Sequence, residues 1–177
     1  MIRHAVFLRG INVGGNKKVP MAQLKVTLEN MGLTDVKTLL ASGNAMFSAK
    51  KENIITLTKR IAAALEKEFG FTIPVLMREM SRLEEMFASE PFKAIKVTKD
   101  IRLYVTFLSE VHKTKLKIPY TSDDKAIRIL KLEDDALYSV LDLSKGKGTV
   151  DAMAIIEKEF GKLVTTRNWN TIEKMMK

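Results

Sequence analysis

The sequence predicts an α+β fold in which one βαββαβ unit occurs twice, each copy followed by a helix. Three observations carry this. Through residues 3–78, short compact apolar runs alternate with segments whose apolar residues recur at three- and four-residue steps. Glu66-Lys67-Glu68-Phe69-Gly70 returns as Glu157-Lys158-Glu159-Phe160-Gly161, each time followed by a short strand and then a helix. Val105-Thr106-Phe107-Leu108 echoes Ala5-Val6-Phe7-Leu8. Residues 3–78 and 101–167 are therefore expected to superpose. The domains are expected at 1–90, the first repeat with its linking helix, and 98–177, the second repeat with the C-terminal helix.

The elements follow in order. Residues 5–8 form a buried strand that ends at Gly10. Pro20 suits the first turn of a helix carrying Met21, Leu24, Leu28 and Met31, and Gly32 stops it. Residues 36–41 and 45–47 flank Ser42-Gly43-Asn44, a hairpin signal. A second helix aligns Ile54, Leu57, Ile61, Leu65 and Phe69 and ends at Gly70. Residues 73–77 form a strand, and Pro74 argues against a central position because proline cannot donate to a ladder. This is the ferredoxin-like order. Ser81, three before Glu84, and Asn170, three before Glu173, read as helix caps. Pro91 ends the third helix. In the second repeat, residues 112–118 are short and lysine-rich, stopped by Pro119, and read as one irregular helical turn. Residues 126–132 and 136–143 form a hairpin through Asp134-Asp135. Thr149 caps a helix bearing Val150, Met153, Ile156 and Phe160.

At 177 residues and 46% hydrophobic composition the chain can bury a sizeable core. No apolar run approaches the ~18 residues that span a bilayer, and Arg3, His4 and Arg9 interrupt what would be a signal-peptide core. The absence of cysteine excludes disulfides, thiolate catalysis and cysteine-ligated metals, and a cytoplasmic protein is expected. The net charge of +9 suits nucleic acid, anionic metabolites or acidic proteins. Lys93, Lys96 and Lys99, and then Lys113, Lys115 and Lys117, stand in stretches without acids. They are either a binding surface or ordinary solubilising lysines.

Residues 9–20, RGINVGGNKKVP, crowd three glycines, two asparagines and three cations between a strand and a helix. Gly10 and Gly15 have the spacing of P-loop glycines, but the lysine and hydroxyl that should follow are missing, and GxGxxG is absent too. A weaker anion site survives. Consecutive glycines let N–H groups converge into a nest, with Arg9, Lys17 and Lys18 nearby. Alternatively Gly14 and Gly15 merely allow positive φ in a connection, with Arg9 paired internally. The expectation is an open loop whose N–H groups face a concavity. The candidate ligand residues are Arg9, Asn12, Gly14, Gly15, Asn16, Lys17 and Lys18, joined by Ser42 and Asn44 and, at the other end of the chain, by Arg167 and Asn168. Residues 144–149 read as a smaller version of the loop, where an anion would relieve lysines beside a helix N-terminus. Trp169, the single tryptophan, is expected to pack beneath the final helix.

RGINVGG, VPM, GLTDV and SGN within residues 7–47, with TTRNWNTIEKM at residues 165–175, resemble the bacterial domain of unknown function 1697 family. The resemblance implies a small α+β protein of two ferredoxin-like repeats. It implies no activity, cofactor or catalytic set.

Catalysis finds little support. His4 and His112 read as strand-end residues, Asp123-Asp124 and Asp134-Asp135 as solvated turns, and no HExxH, GxSxG or EF-hand pattern occurs. No metal or cofactor is expected. An RNA-recognition domain would place an aromatic where SGNAMFSA has none. The leading expectation is a non-catalytic binding module for an anionic ligand, either a phosphorylated metabolite or a nucleic-acid backbone. The alternatives are an enzyme holding a phosphate-bearing substrate at RGINVGG, with SGN or RNWN completing the site, and an assembly module with no small ligand.

Overall fold

The computed structural model describes residues 1–109 and 114–177. The expectations placed on His112 and Lys113 lie outside the described residues. The fold is mixed α+β, with two antiparallel sheets and, among the described residues, five α-helices. The chain divides into two compact units, Met1–Glu85 and Met86–Lys177.

The first unit runs β1 (Ile2–Leu8), α1 (Met21–Asn30), β2 (Thr34–Leu39), β3 (Asn44–Ala49), α2 (Ile54–Phe69), β4 (Val75–Glu79) and the start of α3 (Met80–Ala88). Its sheet has the order β2-β3-β1-β4, antiparallel throughout. Strand alternation sends Val6, Leu8, Ala45, Phe47 and Met77 toward the helices, where they bury against Leu24 and Leu28 of α1 and Leu57, Ile61 and Leu65 of α2. The Asn53 side chain caps α2 by accepting from the Ile55 and Thr56 N–H groups, and Gly70 closes it in the left-handed region. Pro74 lies just outside β4, an edge strand, so its missing N–H costs no ladder bond.

The second unit contains the end of α3, β5 (Ile101–Leu108), β6 (Tyr120–Thr121), β7 (Ile127–Leu132), β8 (Ala136–Asp142), α4 (Thr149–Phe160), β9 (Val164–Asn168) and α5 (Trp169–Met175). Its sheet order is β6-β7-β8-β5-β9, again antiparallel. Leu108, Ile129, Leu137 and Val164 pack against Ile156 and Phe160 of α4.

Several boundaries differ from the sequence reading. α3 continues directly from β4, which makes Ser81 a helical residue and not a cap. Pro20 precedes α1 in an extended conformation, one residue earlier than expected. Thr149 is the first residue of α4, and Gly148 is its cap, whose N–H donates to the Asp151 carboxylate at 2.7 Å. That carboxylate supplies the negative charge at the helix start, so residues 144–149 need no outside anion. α5 is capped by Asn168, which accepts from the Asn170 N–H at 3.0 Å, and not by Asn170. Residues 114–118 form no helical turn. They are held as a strap in which Thr114 Oγ1 and the Lys115 N–H donate to Glu159 of α4. These bonds, the hydroxyl first, hold the Glu159 carboxyl below its usual range.

His4 sits inside β1, not at its end, and is 3% exposed against the Phe47 ring. Its Nδ1 has no hydrogen-bond partner. Burial lowers its pKa below the ordinary 6.5, and the opposing pull of Glu79 and Glu52 is weaker. The folded state therefore binds this proton less readily than the unfolded chain. Stability is expected to be full above about pH 6.5 and to decline as pH falls below it. Thermal unfolding between pH 5 and 7 checks this: the slope should flatten in His4→Leu.

Candidate functional site

The loop of residues 9–20 leaves β1 and is clamped at its base by one side chain. The Asn12 carboxamide donates to the Val19 carbonyl at 3.0 Å and to the Ala41 carbonyl at 2.7 Å, and accepts from the Val19 N–H at 2.8 Å. Asparagine tolerates the φ of 55° found there better than most residues. Above the clamp, the Asn12 N–H donates to the Lys17 carbonyl at 3.1 Å. Val13 and Asn16 pair across Gly14 and Gly15, whose φ values of 61° and 78° fit a tight two-residue hairpin turn. The Asn16 N–H is taken by the Val13 carbonyl at 3.2 Å. The loop is a small closed hairpin with an exposed tip at residues 12–18 and Ile11 and Val19 buried at its base, not the open N–H cradle expected from its glycines.

Its neighbour is the Ser42-Gly43-Asn44 turn. The Gly43 carbonyl accepts from the Leu8 N–H at 2.8 Å. Gly43 has φ of 78°, and a Cβ there would lie 2.6 Å from Ile11 Cδ1 and 2.8 Å from Leu8 Cβ. Conformation and space both demand glycine. Asn44 is fully buried and donates to the Leu39 carbonyl at 3.0 Å and to Ser42 Oγ at 2.9 Å. Asn12 thus bonds the Ala41 carbonyl, one residue before the SGN turn, and its bonds brace the chain.

The cations occupy the outer surface of this end of the sheet. Lys17 and Lys18 are exposed, and Arg9 is half-buried, with its backbone N–H donating to the Pro74 carbonyl at 3.0 Å. Lys17 Nζ stands 6.0 Å from the centroid of the Phe71 ring, the outer reach of a cation–π contact. Phe71 in turn meets Phe69 at 6.5 Å. The sequence reading passed over Phe71 because nothing in a single chain marks a loop aromatic as the neighbour of a lysine so far upstream.

Arg167 and Asn168 belong to the other unit. Arg167 is 9% exposed, its Nη1 donates to the Thr166 carbonyl at 2.9 Å, and burial lowers its pKa to about 10, leaving it protonated at neutral pH. Asn168 is the α5 cap. Trp169 begins α5 and is buried among Phe87, Phe92 and Tyr138. Asp124 belongs to a turn, as expected: its carboxylate accepts from Ser122 Oγ and from the Ala126 N–H, which hold its pKa low. Among the described residues no cluster of three metal-ligating side chains occurs, and no helix is long and apolar enough to cross a membrane.

A family model described as protein of unknown function (DUF1697) matches residues 1–138. The chain belongs to the DUF1697 family. That match takes in the whole clamp, from Arg9 through Asn44. Among solved structures, the chain is similar to the conserved bacterial protein SP0830 from Streptococcus pneumoniae, with 21% identity and a TM-score of 0.73 over 98% of this chain and 96% of that one. The likeness shows a shared fold. No curated protein matches the sequence.

The clamp yields contrasting substitutions. Asn12→Gly keeps the backbone conformation and removes three hydrogen bonds, with an expected cost of about 1–3 kcal/mol. Gly43→Ala adds steric overlap to an unfavourable φ and is expected to cost roughly 2–5 kcal/mol. Gly14→Ala meets nothing within 4 Å, so only about 1 kcal/mol of backbone strain is expected. Denaturant unfolding of the three variants checks the order.

Proposed function

We propose that this DUF1697 protein is a non-catalytic module that binds a phosphate-bearing ligand, either a phosphorylated metabolite or a nucleic-acid backbone, through the cations of residues 9–20. One observation carries the reading: Lys17 and Lys18 are exposed on a loop whose base is fixed by three hydrogen bonds from one asparagine. A fixed base limits the ordering that binding must impose on the loop, and the net charge of +9 favours an anionic partner. With two backbone donors already committed within the hairpin, the side-chain ammonium groups are the natural contacts. The cysteine-free composition agrees with a cytoplasmic setting.

We further propose that the two units are a duplication of one ferredoxin-like βαββαβ repeat. Sheet order supports it: β4-β1-β3-β2 in the first unit corresponds to β9-β5-β8-β7 in the second, with β6 added at the edge. Matching hydrogen bonds support it too. Leu8 donates to the Gly43 carbonyl just before β3, and Leu108 donates to the Asp135 carbonyl just before β8. Gly70 N donates to Glu66 and Gly161 N to Glu157, both at 2.9 Å, closing α2 and α4. On this reading the strap at residues 114–118 lies where the first copy has α1.

Titration of a labelled single-stranded oligonucleotide, beside a thermal-shift screen of phosphorylated metabolites, tests the ligand class. Oligonucleotide binding should weaken steeply with salt, and replacing Lys17 and Lys18 together by alanine should lower the salt slope by about two ions. A metabolite ligand should raise the unfolding temperature of the wild type and not of that variant. Binding unchanged in the double variant, or no response to either class at low salt, contradicts the proposal.

A further inference from the structure

In the second unit, two adjoining cavities of about 390 Å³ each share Val97, Leu103 and Glu173 in their walls, a two-part depression. The first is aromatic. Phe87, 41% exposed, lies nearly parallel to Trp169 with centroids 6.4 Å apart, and Phe92 meets Trp169 edge-on at 5.2 Å. The second is polar and is walled by Thr98, Asn168 and Asn170. Glu173 stands at the junction, one helical turn beyond Trp169 on α5, so both side chains project from the same face.

Charge in this depression is balanced, unlike the rest of the protein. Glu90 and Lys93 pair at 2.9 Å, and the Arg102 guanidinium donates to the Lys99 and Ile101 carbonyls at 2.7 and 3.1 Å. The lining holds two acids, Glu90 and Glu173, and two bases, Lys93 and Arg102, so its formal charge sums to zero. An anion has little to gain there. The walls instead suit a neutral molecule with a flat apolar part and a hydroxyl-rich part. The aromatic cavity accepts a planar ring, Asn170 offers a carboxamide and Asn168, whose oxygen caps α5, an amide NH2, and a carboxylate between them accepts from hydroxyl donors.

We propose that this depression binds a nucleoside, with the base in the aromatic cavity and the ribose hydroxyls donating to Glu173 at the junction. The inference goes beyond the phosphate reading and does not depend on it, since the site lies in the other unit and takes a ligand without phosphate.

Trp169 is the single tryptophan in the chain, so its fluorescence reports on this cavity alone. Adenosine, guanosine, cytidine and uridine, titrated separately with excitation restricted to tryptophan, serve as probes. At least one should change Trp169 emission saturably, at concentrations unaffected by replacing Lys17 and Lys18. Glu173→Gln, a half-buried change of nearly equal size, should weaken that binding about tenfold or more with thermal stability retained. Phe87→Leu, which removes the exposed ring but keeps apolar bulk, should weaken it as well. No saturable response to any of the four nucleosides overturns the proposal. A response equally strong in both Glu173→Gln and Phe87→Leu overturns it too.

Discussion

The first unit depends on the close approach at Gly43. There the turn between β2 and β3 lies against Leu8 and Ile11, closer than any side chain would allow, and its carbonyl takes the Leu8 N–H. That contact fixes where β3 begins beside β1, and through it the register that pairs Phe7 with Asn44 and His4 with Phe47. Slipping the register by one residue would turn Val6 and Leu8 away from the helices. The same turn presents the Ala41 carbonyl to Asn12, so the hairpin of residues 9–20 is anchored to the sheet. Core packing and the position of Lys17 and Lys18 thus rest on one glycine.

This arrangement separates two roles that a glycine-rich sequence runs together. Gly14 and Gly15 serve the hairpin turn, Gly43 serves the close approach, and Asn12 and Asn44 serve as braces. What the hairpin leaves exposed is the charge of Lys17 and Lys18. A chain of +9 can spend part of that charge at a fixed position, while the balanced depression beside Trp169 has a different chemistry.

Much of the fold was legible because its signals are local. Periodicity marked α1, α2 and α4, glycines marked the ends of α2 and α4, and Pro74 marked an edge strand. The errors arose where a tertiary contact outweighed a local preference. Asn170 carries a capping pattern, but the chain stays extended only as far as Asn168, paired with Tyr104 in the β5–β9 ladder, and the helix starts directly afterwards. Ser81 carries the same pattern, but α3 grows straight out of β4. The two-residue strand β6 pairs with β7 through Tyr120 and Thr121, too short a run to announce itself. In the candidate site, the residues of the loop were evident and their partners were not. A sequence shows that Asn12 is polar and lies among glycines. It does not show that all three of its side-chain bonds are made to Val19 and Ala41.

Amide hydrogen exchange at Asn12 and Val19 tests the clamp most directly. Asn12 is exposed and Val19 is buried at the base of the loop, and both N–H groups are bonded within it, Val19 to the Asn12 side chain. If the loop is anchored through Asn12 to the Gly43 turn, these amides exchange slowly, in step with Leu8, and Val19 loses its protection in Asn12→Gly while the strand amides of β1 keep theirs. Exchange of Val19 at the rate of an unstructured chain in the wild-type protein, with Leu8 still protected, would contradict the account.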